Sequence, residues 1–229
     1  IISLVGPEDD LSIQVHPDDE HAQKIGYKRG KNEAWFFIES DPGASIVYGQ
    51  KTKNKEELQE MINQDKWDDI YKKYPVADGN FVYLPAGCLH AMGKGNVVYE
   101  IQQSTDVTYR FYDYHRKDKD GNERELHLKQ AIDCLSFDKD IDKNDVHPVV
   151  KVHENVKETI FISNDSFTVS QLLVIGKCQY KCDNYQLATV VKGSGKVDEY
   201  DVKVGDNFLI PTNTSIELDG QMMIMMTTK

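Results

Sequence analysis

Apolar and polar residues alternate along much of this chain, which is the pattern of β-strands with one buried face. The pattern predicts strands over residues 11–16, 34–38, 96–104 and 108–114, and strands again dominate from about residue 149 onward. Because successive side chains of a strand point to opposite faces, alternate residues of each segment share a face. The chain is therefore predicted to be mainly β.

Two stretches have helical periodicity instead. Asn54 and Glu57 form a sequence like a capping box, and the apolar residues that follow are spaced as on a helix as far as Tyr74. This predicts a small helical insertion at about 54–74. A second helical stretch is predicted over 125–135.

The segment 79–90, GNFVYLPAGCLH, joins a short predicted strand to a Pro-Gly turn that leads into His90. Its spacing, G-x5-P-x-G-x2-H, is that of the second signature of cupins, small β-barrels whose histidines hold a metal inside. Only Lys94 departs from the pattern, which has Asn there. The alternative is a Pro-Gly hairpin with a half-buried structural histidine. Ligands elsewhere in the chain distinguish the two interpretations.

The G-x5-P spacing occurs a second time, in residues 205–216. Asn213 takes the place of Gly87 there, and Ile216 takes the place of His90. The second corner thus keeps the turn and lacks the ligand.

The two corners predict a double cupin, that is, two jelly-roll β-barrels in one chain with a small helical insertion. We expect a metal-binding domain at 1–148, which includes the insertion, and a metal-free barrel at 149–229. The sequence begins at Ile1 without Met, inside an apolar run that is typical of a strand. We therefore expect an N-terminal segment to be missing.

Four side chains would meet inside the first barrel because they come from three predicted strands or strand junctions. They are Gln14, His16, Glu33 and His90. Two imidazoles, a carboxylate and an amide oxygen suit a borderline divalent cation, with zinc the first choice before manganese or iron. A carboxylate beside Trp35 is also costly to bury unless it is paired or bound to a cation.

The charge and the cysteines limit the classes of partner. The chain carries 27 Lys and Arg against 38 Asp and Glu, a formal net charge of −11, which argues against nucleic acid or an anionic membrane as partner. Four cysteines are too few for a disulfide framework, and Cys178-x3-Cys182 lacks the second pair of a metal site. No apolar run is long enough to span a bilayer and no secretory signal is recognisable. These features predict a reduced, cytoplasmic location.

Two basic features stand out in this acidic chain. Residues 27–33 form a cationic loop, which is either an anion-binding loop or an ordinary solvated one. Arg110 lies among aromatic residues in mid-strand, where an arginine either extends to solvent or is fixed by an anion; its neighbours slightly favour the former.

Four segments, in order, resemble the type I mannose-6-phosphate isomerases in their short bacterial form: residues 11–18, 30–33, 84–91 and 99–114. The resemblance covers nearly the whole chain. It implies a double cupin fold and the zinc-dependent interconversion of mannose 6-phosphate and fructose 6-phosphate through an enediol, with one zinc per chain. Members of that family carry several tens of residues before the Gln-x-His strand, which this sequence lacks.

The resemblance also implies roles for single residues. It makes the four side chains named above the zinc ligands and Arg110 the essential arginine of the active site. Lys31 resembles a substrate-facing lysine, and Ser12 a contact to the phosphate. The general base stays open between a metal-bound water and a carboxylate such as Glu100.

Two other functions fit parts of the sequence. A cupin oxidoreductase or decarboxylase would have a His-x-His pair and a third histidine, whereas Gln14 stands where the first histidine would be. A non-catalytic phosphosugar-binding protein would bind sugar without turnover. The sequence leaves the oligomeric state and the range of sugar phosphates open.

Overall fold

The computed structural model of the chain describes residues 1–138 and 140–229. Most of its regular structure is β-strand, which confirms the mainly β prediction. The chain divides into two compact units, Ile1–Asn144 and Asp145–Lys229.

The elements of the first unit follow one another in this order: β1 (Ile2–Val5), β2 (Ile13–Val15), α1 (Asp19–Lys24), β3 (Glu33–Ser40), β4 (Ser45–Gln50), α2 (Lys55–Asn63), α3 (Trp67–Ile70), β5 (Tyr71–Pro75), β6 (Phe81–Leu84), β7 (His90–Met92), β8 (Asn96–Gln102), β9 (Tyr109–Tyr112) and α4 (Leu128–Cys134). The strands form two antiparallel sheets. The first sheet has the order β1-β8-β3-β6, and the second sheet has the order β5-β4-β7-β2-β9.

Buried apolar residues fill two layers of this unit. One layer contains residues of both sheets, among them Trp35, Val98 and Tyr48. The other joins the second sheet, through residues such as Phe111, to the helices, through residues such as Leu58. The helices therefore cover one face of the second sheet, and its other face is turned toward the first sheet.

The helical insertion is shorter than the sequence predicts. Asn54 caps α2 as expected, since its Oδ1 accepts a hydrogen bond from the Glu57 amide at 2.9 Å. The prediction of helix as far as Tyr74 is wrong, however, because β5 pairs with β4. The spacing of Tyr71 and Tyr74 fits a helix, but the ladder with β4 determines the structure of this segment. The second predicted helix, α4, also begins later than expected, at Leu128.

The elements of the second unit are β10 (Val149–His153), β11 (Val156–Ser163), β12 (Thr168–Ile175), β13 (Cys178–Cys182), β14 (Gln186–Val197), β15 (Tyr200–Lys203), β16 (Asn207–Ile210) and β17 (Thr214–Thr228). They form one sheet of order β10-β11-β12-β17-β14-β15, with β13 paired to β17 and β16 paired to β14.

The strand pairing of the first unit recurs in the second. β13 pairs with the start of β17 as β2 pairs with β7, and β16 pairs with β14 as β6 pairs with β3. The two corners also share a left-handed residue, Gly87 with φ 83° and Asn213 with φ 57°. Asn is one of the few residues other than Gly that adopts this conformation readily. The repeat inferred from the G-x5-P spacing is thus a repeat of backbone structure.

The strand register identifies, for each predicted ligand of the first unit, the residue at the equivalent position of the second unit. Gln14 is opposite His90 in the first unit, and Tyr180 is opposite Ile216 in the second. Likewise Glu33 is opposite Leu84, and Gln186 is opposite Ile210. Two residues after Tyr180, at the position of His16, stands Cys182. The second unit therefore has Tyr, Cys, Gln and Ile at the four positions.

Across residues 1–138 and 140–229, no helix has both the length and the apolar character needed to cross a bilayer.

Candidate functional site

Three strands bring the four predicted ligands together between the two sheets of the first unit. Gln14 is the central residue of β2, and His16 directly follows that strand. Glu33 is the first residue of β3, and His90 is the first residue of β7. Since Gln14 and His90 are opposite each other in an antiparallel pair, their side chains share one face of the second sheet.

The side-chain atoms of this group converge. One ligand atom each from His16, Glu33 and His90 lies within 4.8 Å of the others. The Nε2 atom of His16 is 3.4 Å from Oε1 of Glu33, and Nε2 of His90 is 3.3 Å from Oε2. The amide of Gln14 lies 3.5 Å from His90 Nε2. The two histidines and Glu33 are each only 1% exposed.

Backbone carbonyls fix the orientation of both imidazoles. Nδ1 of His16 lies 3.0 Å from the Val107 carbonyl oxygen, and Nδ1 of His90 lies 3.0 Å from that of Cys88. Because a carbonyl oxygen only accepts, each Nδ1 carries the proton and donates it. Each Nε2 lone pair is then directed toward Glu33, which is how histidines are prepared to bind a metal.

Two atoms of this group lack a hydrogen-bond partner although they are fully buried: Nε2 of His16 and Oε2 of Glu33. A buried polar atom without a partner is costly, and a bound cation would satisfy both atoms. The donor set therefore fits a metal ion.

The electrostatics of the group favour the same interpretation. Burial by itself raises the pKa of Glu33, but hydrogen bonds and positive charge from His16 and His90, when these imidazoles are protonated, outweigh it and hold that pKa well below its usual range. Burial lowers the pKa of His16, which favours the neutral imidazole. A carboxylate with a neutral imidazole is the protonation state that metal binding requires.

Lys31 lies beside this group. Its Nζ is 2.9 Å from Oε1 of Glu33, and the residue is 8% exposed. The Lys31 amide donates to the Pro17 carbonyl at 3.0 Å, and a Cβ on Gly30 would come within 2.5 Å of the same oxygen. The close approach at Gly30 thus fixes the end of the basic loop, whereas residues 27–29 are solvent-exposed.

Arg110, on β9, is the other register partner of Gln14. Its Nη1 donates to the Glu125 carbonyl at 2.7 Å, while its buried Nε has no hydrogen-bond partner. Its backbone amide donates to Nδ1 of His127 at 3.1 Å. One part of the side chain thus reaches an exposed carbonyl and another part is enclosed, and its fixation by an anion stays a prediction. No sequence signal links His127 to Arg110.

Three further residues of the first sheet share the face of Glu33. Trp35 is two residues along β3, Gln102 is opposite Glu33, and Glu100 is opposite Trp35. Burial, and then the charge of Glu33, raise the pKa of Glu100. The sequence places Glu100 and Gln102 on one face of a strand but gives Gln102 and Trp35 no role. Ser12 is partly buried just before β2, and its contact with a phosphate stays a prediction.

The chain is similar to known proteins of one family. Residues 157–229 match the family described as mannose-6-phosphate isomerase, cupin domain. A mannose-6-phosphate isomerase of Streptococcus mutans is 37% identical over 98% of this chain and 72% of its own length. A mannose-6-phosphate isomerase of Bacillus subtilis is 36% identical over 92% of this chain and 68% of its own length.

Solved structures show the same fold. The crystal structure of a mannose 6-phosphate isomerase from Bacillus subtilis superposes with a TM-score of 0.93 at 31% identity, over 100% of this chain and 74% of that chain. A mutant phosphomannose isomerase from Salmonella typhimurium superposes with a TM-score of 0.75 at 15% identity, over 100% of this chain and 78% of that one.

Proposed function

Because this chain belongs to the mannose-6-phosphate isomerase family, we propose that it interconverts mannose 6-phosphate and fructose 6-phosphate at the site around Glu33. The chain is an aldose–ketose isomerase and its substrate is a small phosphorylated sugar. The observation that supports this site above all is the convergence of two buried imidazole Nε2 atoms on the Glu33 carboxylate, with Lys31 beside it.

We assign the metal to Gln14, His16, Glu33 and His90 and expect one zinc ion per chain. Nitrogen and oxygen donors suit zinc, and the buried carboxylate supplies one negative charge. When bound, the ion supplies Lewis-acid stabilisation of a sugar oxygen and a template for the reacting carbons. Nε2 of Gln14 lies 3.5 Å from Nε2 of His90. A flip of the side-chain amide, which exchanges its nitrogen and oxygen atoms, would direct the Gln14 oxygen toward the metal ligands.

Isomerisation through an enediol moves a proton between C2 and C1 and develops negative charge on the sugar oxygens. We expect Arg110 to stabilise this charge, and its buried Nε, which has no hydrogen-bond partner, supports this assignment. Lys31 holds a sugar or phosphoryl oxygen, and we expect Ser12 to contribute to the phosphate contact. Binding at the phosphate end then orients the reacting end.

Glu100 is the best candidate for the group that moves the proton. Its raised pKa brings the carboxyl closer to the range in which it can both accept and release a proton. The Trp35 indole donates a hydrogen bond to Oε1 and so fixes the position of this carboxyl group.

The second unit is proposed to be a metal-free structural barrel. The group of His16, Glu33 and His90 is the one set of three potential ligands found among the described residues, and it lies in the first unit. Ile216 and Ile210, at positions equivalent to His90 and Leu84, are buried in the apolar core of the second unit. We therefore keep the division into a metal-binding domain and a metal-free one. A cytoplasmic location is proposed with it.

The alternative functions gain no support from this site. A redox cupin needs a third histidine, and the metal-binding group in the described part of the chain has two. The non-catalytic alternative is tested directly by turnover.

The experiment is to measure bound metal and a coupled assay of fructose 6-phosphate formation, on the protein and on His90→Ala. We expect about one zinc per chain and turnover, both lost in the variant. His153→Ala, on exposed β10, is the control and should keep both. Metal without turnover would support a binding role instead, and absence of metal would overturn the ligand assignment.

A further inference from the structure

The side-chain carbonyl oxygen of Gln102 is fully buried and has no hydrogen-bond partner. Gln102 ends β8 directly opposite Glu33, so the two side chains lie next to each other on the inner face of the first sheet. An enclosed acceptor with no donor is less favourable than either a hydrogen-bonded or an apolar side chain at that position. The unpaired oxygen of Gln102 therefore reduces the stability of the fold beside the proposed metal site.

Gln103, the residue after Gln102, has a side-chain amide with a structural role. Oε1 of Gln103 accepts two hydrogen bonds from Asn32, from the backbone amide at 2.9 Å and from Nδ2 at 3.0 Å. Gln103 therefore ties the loop after β8 to the segment before β3. No such bond is made by Oε1 of Gln102, so its amide does not serve the fold in this way.

The chemistry of the unpaired atom restricts its partner. A carbonyl oxygen accepts and cannot donate, so its partner is either a hydrogen-bond donor or a cation. The four residues assigned to the metal already supply four donor atoms, which leaves a hydrogen-bond donor as the partner of Gln102. A phosphate dianion offers only acceptors, whereas the hydroxyl groups of a sugar are donors. Lys31, whose Nζ lies 2.9 Å from Oε1 of Glu33, is a donor and suits the anionic oxygens.

We propose that Gln102 accepts a hydrogen bond from a hydroxyl group of the sugar substrate and is a specificity-determining residue of this site. The inference rests on the proposed function. A site that hydrogen-bonds a substrate hydroxyl discriminates strongly against an analogue that lacks it, because the buried acceptor is then left unpaired. Gln102 would therefore select for the sugar part of the molecule, independently of the phosphate.

The test compares Gln102→Met with Gln103→Met, two neighbouring changes of similar shape. For Gln102→Met we expect kcat/KM for mannose 6-phosphate to fall about tenfold to a hundredfold. Metal content should not change, and the urea midpoint should stay the same or rise, because an unpaired buried acceptor has been removed. For Gln103→Met we expect the midpoint to fall, because two donors of Asn32 lose their acceptor.

Deoxy analogues of the substrate, lacking the 3- or the 4-hydroxyl, supply the specific readout. The protein should discriminate against at least one of them, and Gln102→Met should lose that discrimination while Gln102→Glu, which keeps an acceptor, retains part of it. A lower midpoint in Gln102→Met, or a loss of kcat/KM with the discrimination intact, would overturn the inference. Failure of the unaltered protein to turn over mannose 6-phosphate would instead overturn the proposed function.

Discussion

The indole Nε1 of Trp35 donates a hydrogen bond to Oε1 of Glu100 at 3.0 Å. The same indole meets the imidazole of His90 in a T-shaped arrangement, with the ring centroids 5.6 Å apart. One buried side chain thus holds both the proposed proton-transfer group and a proposed metal ligand. Trp35 is 1% exposed, so its position is set by the core on all sides.

Trp35→Phe tests this connection. The ring is kept and the hydrogen bond is lost, so we expect kcat to fall about fivefold to twentyfold with metal content unchanged. The bond favours the charged carboxylate, and its removal raises the pKa of Glu100 further. The acidic limb of the pH–rate profile should therefore move to higher pH. Trp67→Phe, at the stacked contact with Tyr112, is the control and should leave that limb in place.

Lys31→Met should remove the cation that faces Glu33. Because Nζ lies 2.9 Å from the carboxylate and is nearly enclosed, we expect kcat/KM to fall about a hundredfold or more. Steady-state kinetics with mannose 6-phosphate measure this loss. Lys28→Met, in the exposed part of the same loop, should change kcat/KM less than twofold. Equal effects of the two changes would mean that the loop acts only through its overall charge.

Gly30→Ala should destabilise the protein. A Cβ at this position would lie 2.4 Å from the Asp18 carbonyl carbon and 2.5 Å from the Pro17 oxygen, both of them backbone atoms. We expect a loss of about 2 kcal/mol or more in the free energy of unfolding, measured by urea denaturation. Gly6→Ala is the matched control, because its nearest contact would be an ordinary 3.5 Å to Val97. A Gly30→Ala protein as stable as Gly6→Ala would contradict the packing described for this loop.

Asp113 should make the first unit sensitive to acid. Burial by itself raises the pKa of Asp113, but hydrogen bonds from Arg124 and Arg116 hold the pKa below its usual value. The folded pKa is therefore lower than the unfolded one of about 3.9, so the stabilisation is complete above about pH 4 and is lost as the pH falls through the folded pKa.

Asp113→Asn should then lower the free energy of unfolding by about 1–2 kcal/mol at pH 7, a figure reduced by the exposure of the two arginines. The difference from the unaltered protein should shrink when urea unfolding is repeated below about pH 4. Asp69→Asn, at an exposed position of α3, should show neither effect. A pH-independent difference would mean that the loss is one of packing and not of charge.

Local patterns in the sequence predicted the parts of the site that lie within one strand or turn. Period two placed Gln14 and His16 on one face, and the Pro-Gly turn placed His90. By contrast, the tautomers depend on the carbonyls of Val107 and Cys88, which are fixed only when distant segments fold together.

The dependence on distant parts of the chain also explains why β5 was wrongly predicted to be helical. Tyr71 and Tyr74 fit a helical spacing, and only the pairing with β4 shows that they belong to a strand. The role proposed for Gln102 was equally invisible in the sequence. Its unpaired oxygen is defined by what surrounds it in three dimensions, whereas the neighbouring Gln103 has an identical side chain and a different environment.

Because the same strand register occurs in both units, we expect the protein to stay folded when the proposed metal ion is removed. The second unit builds the same corner around Ile216, with an apolar side chain in place of the imidazole, so the architecture itself does not depend on coordination. Chelation of the proposed metal ion should therefore abolish activity and leave a folded apoprotein that regains activity when a divalent metal is returned. The second unit thus shows that this corner folds around an apolar residue, without any metal ligand at that position.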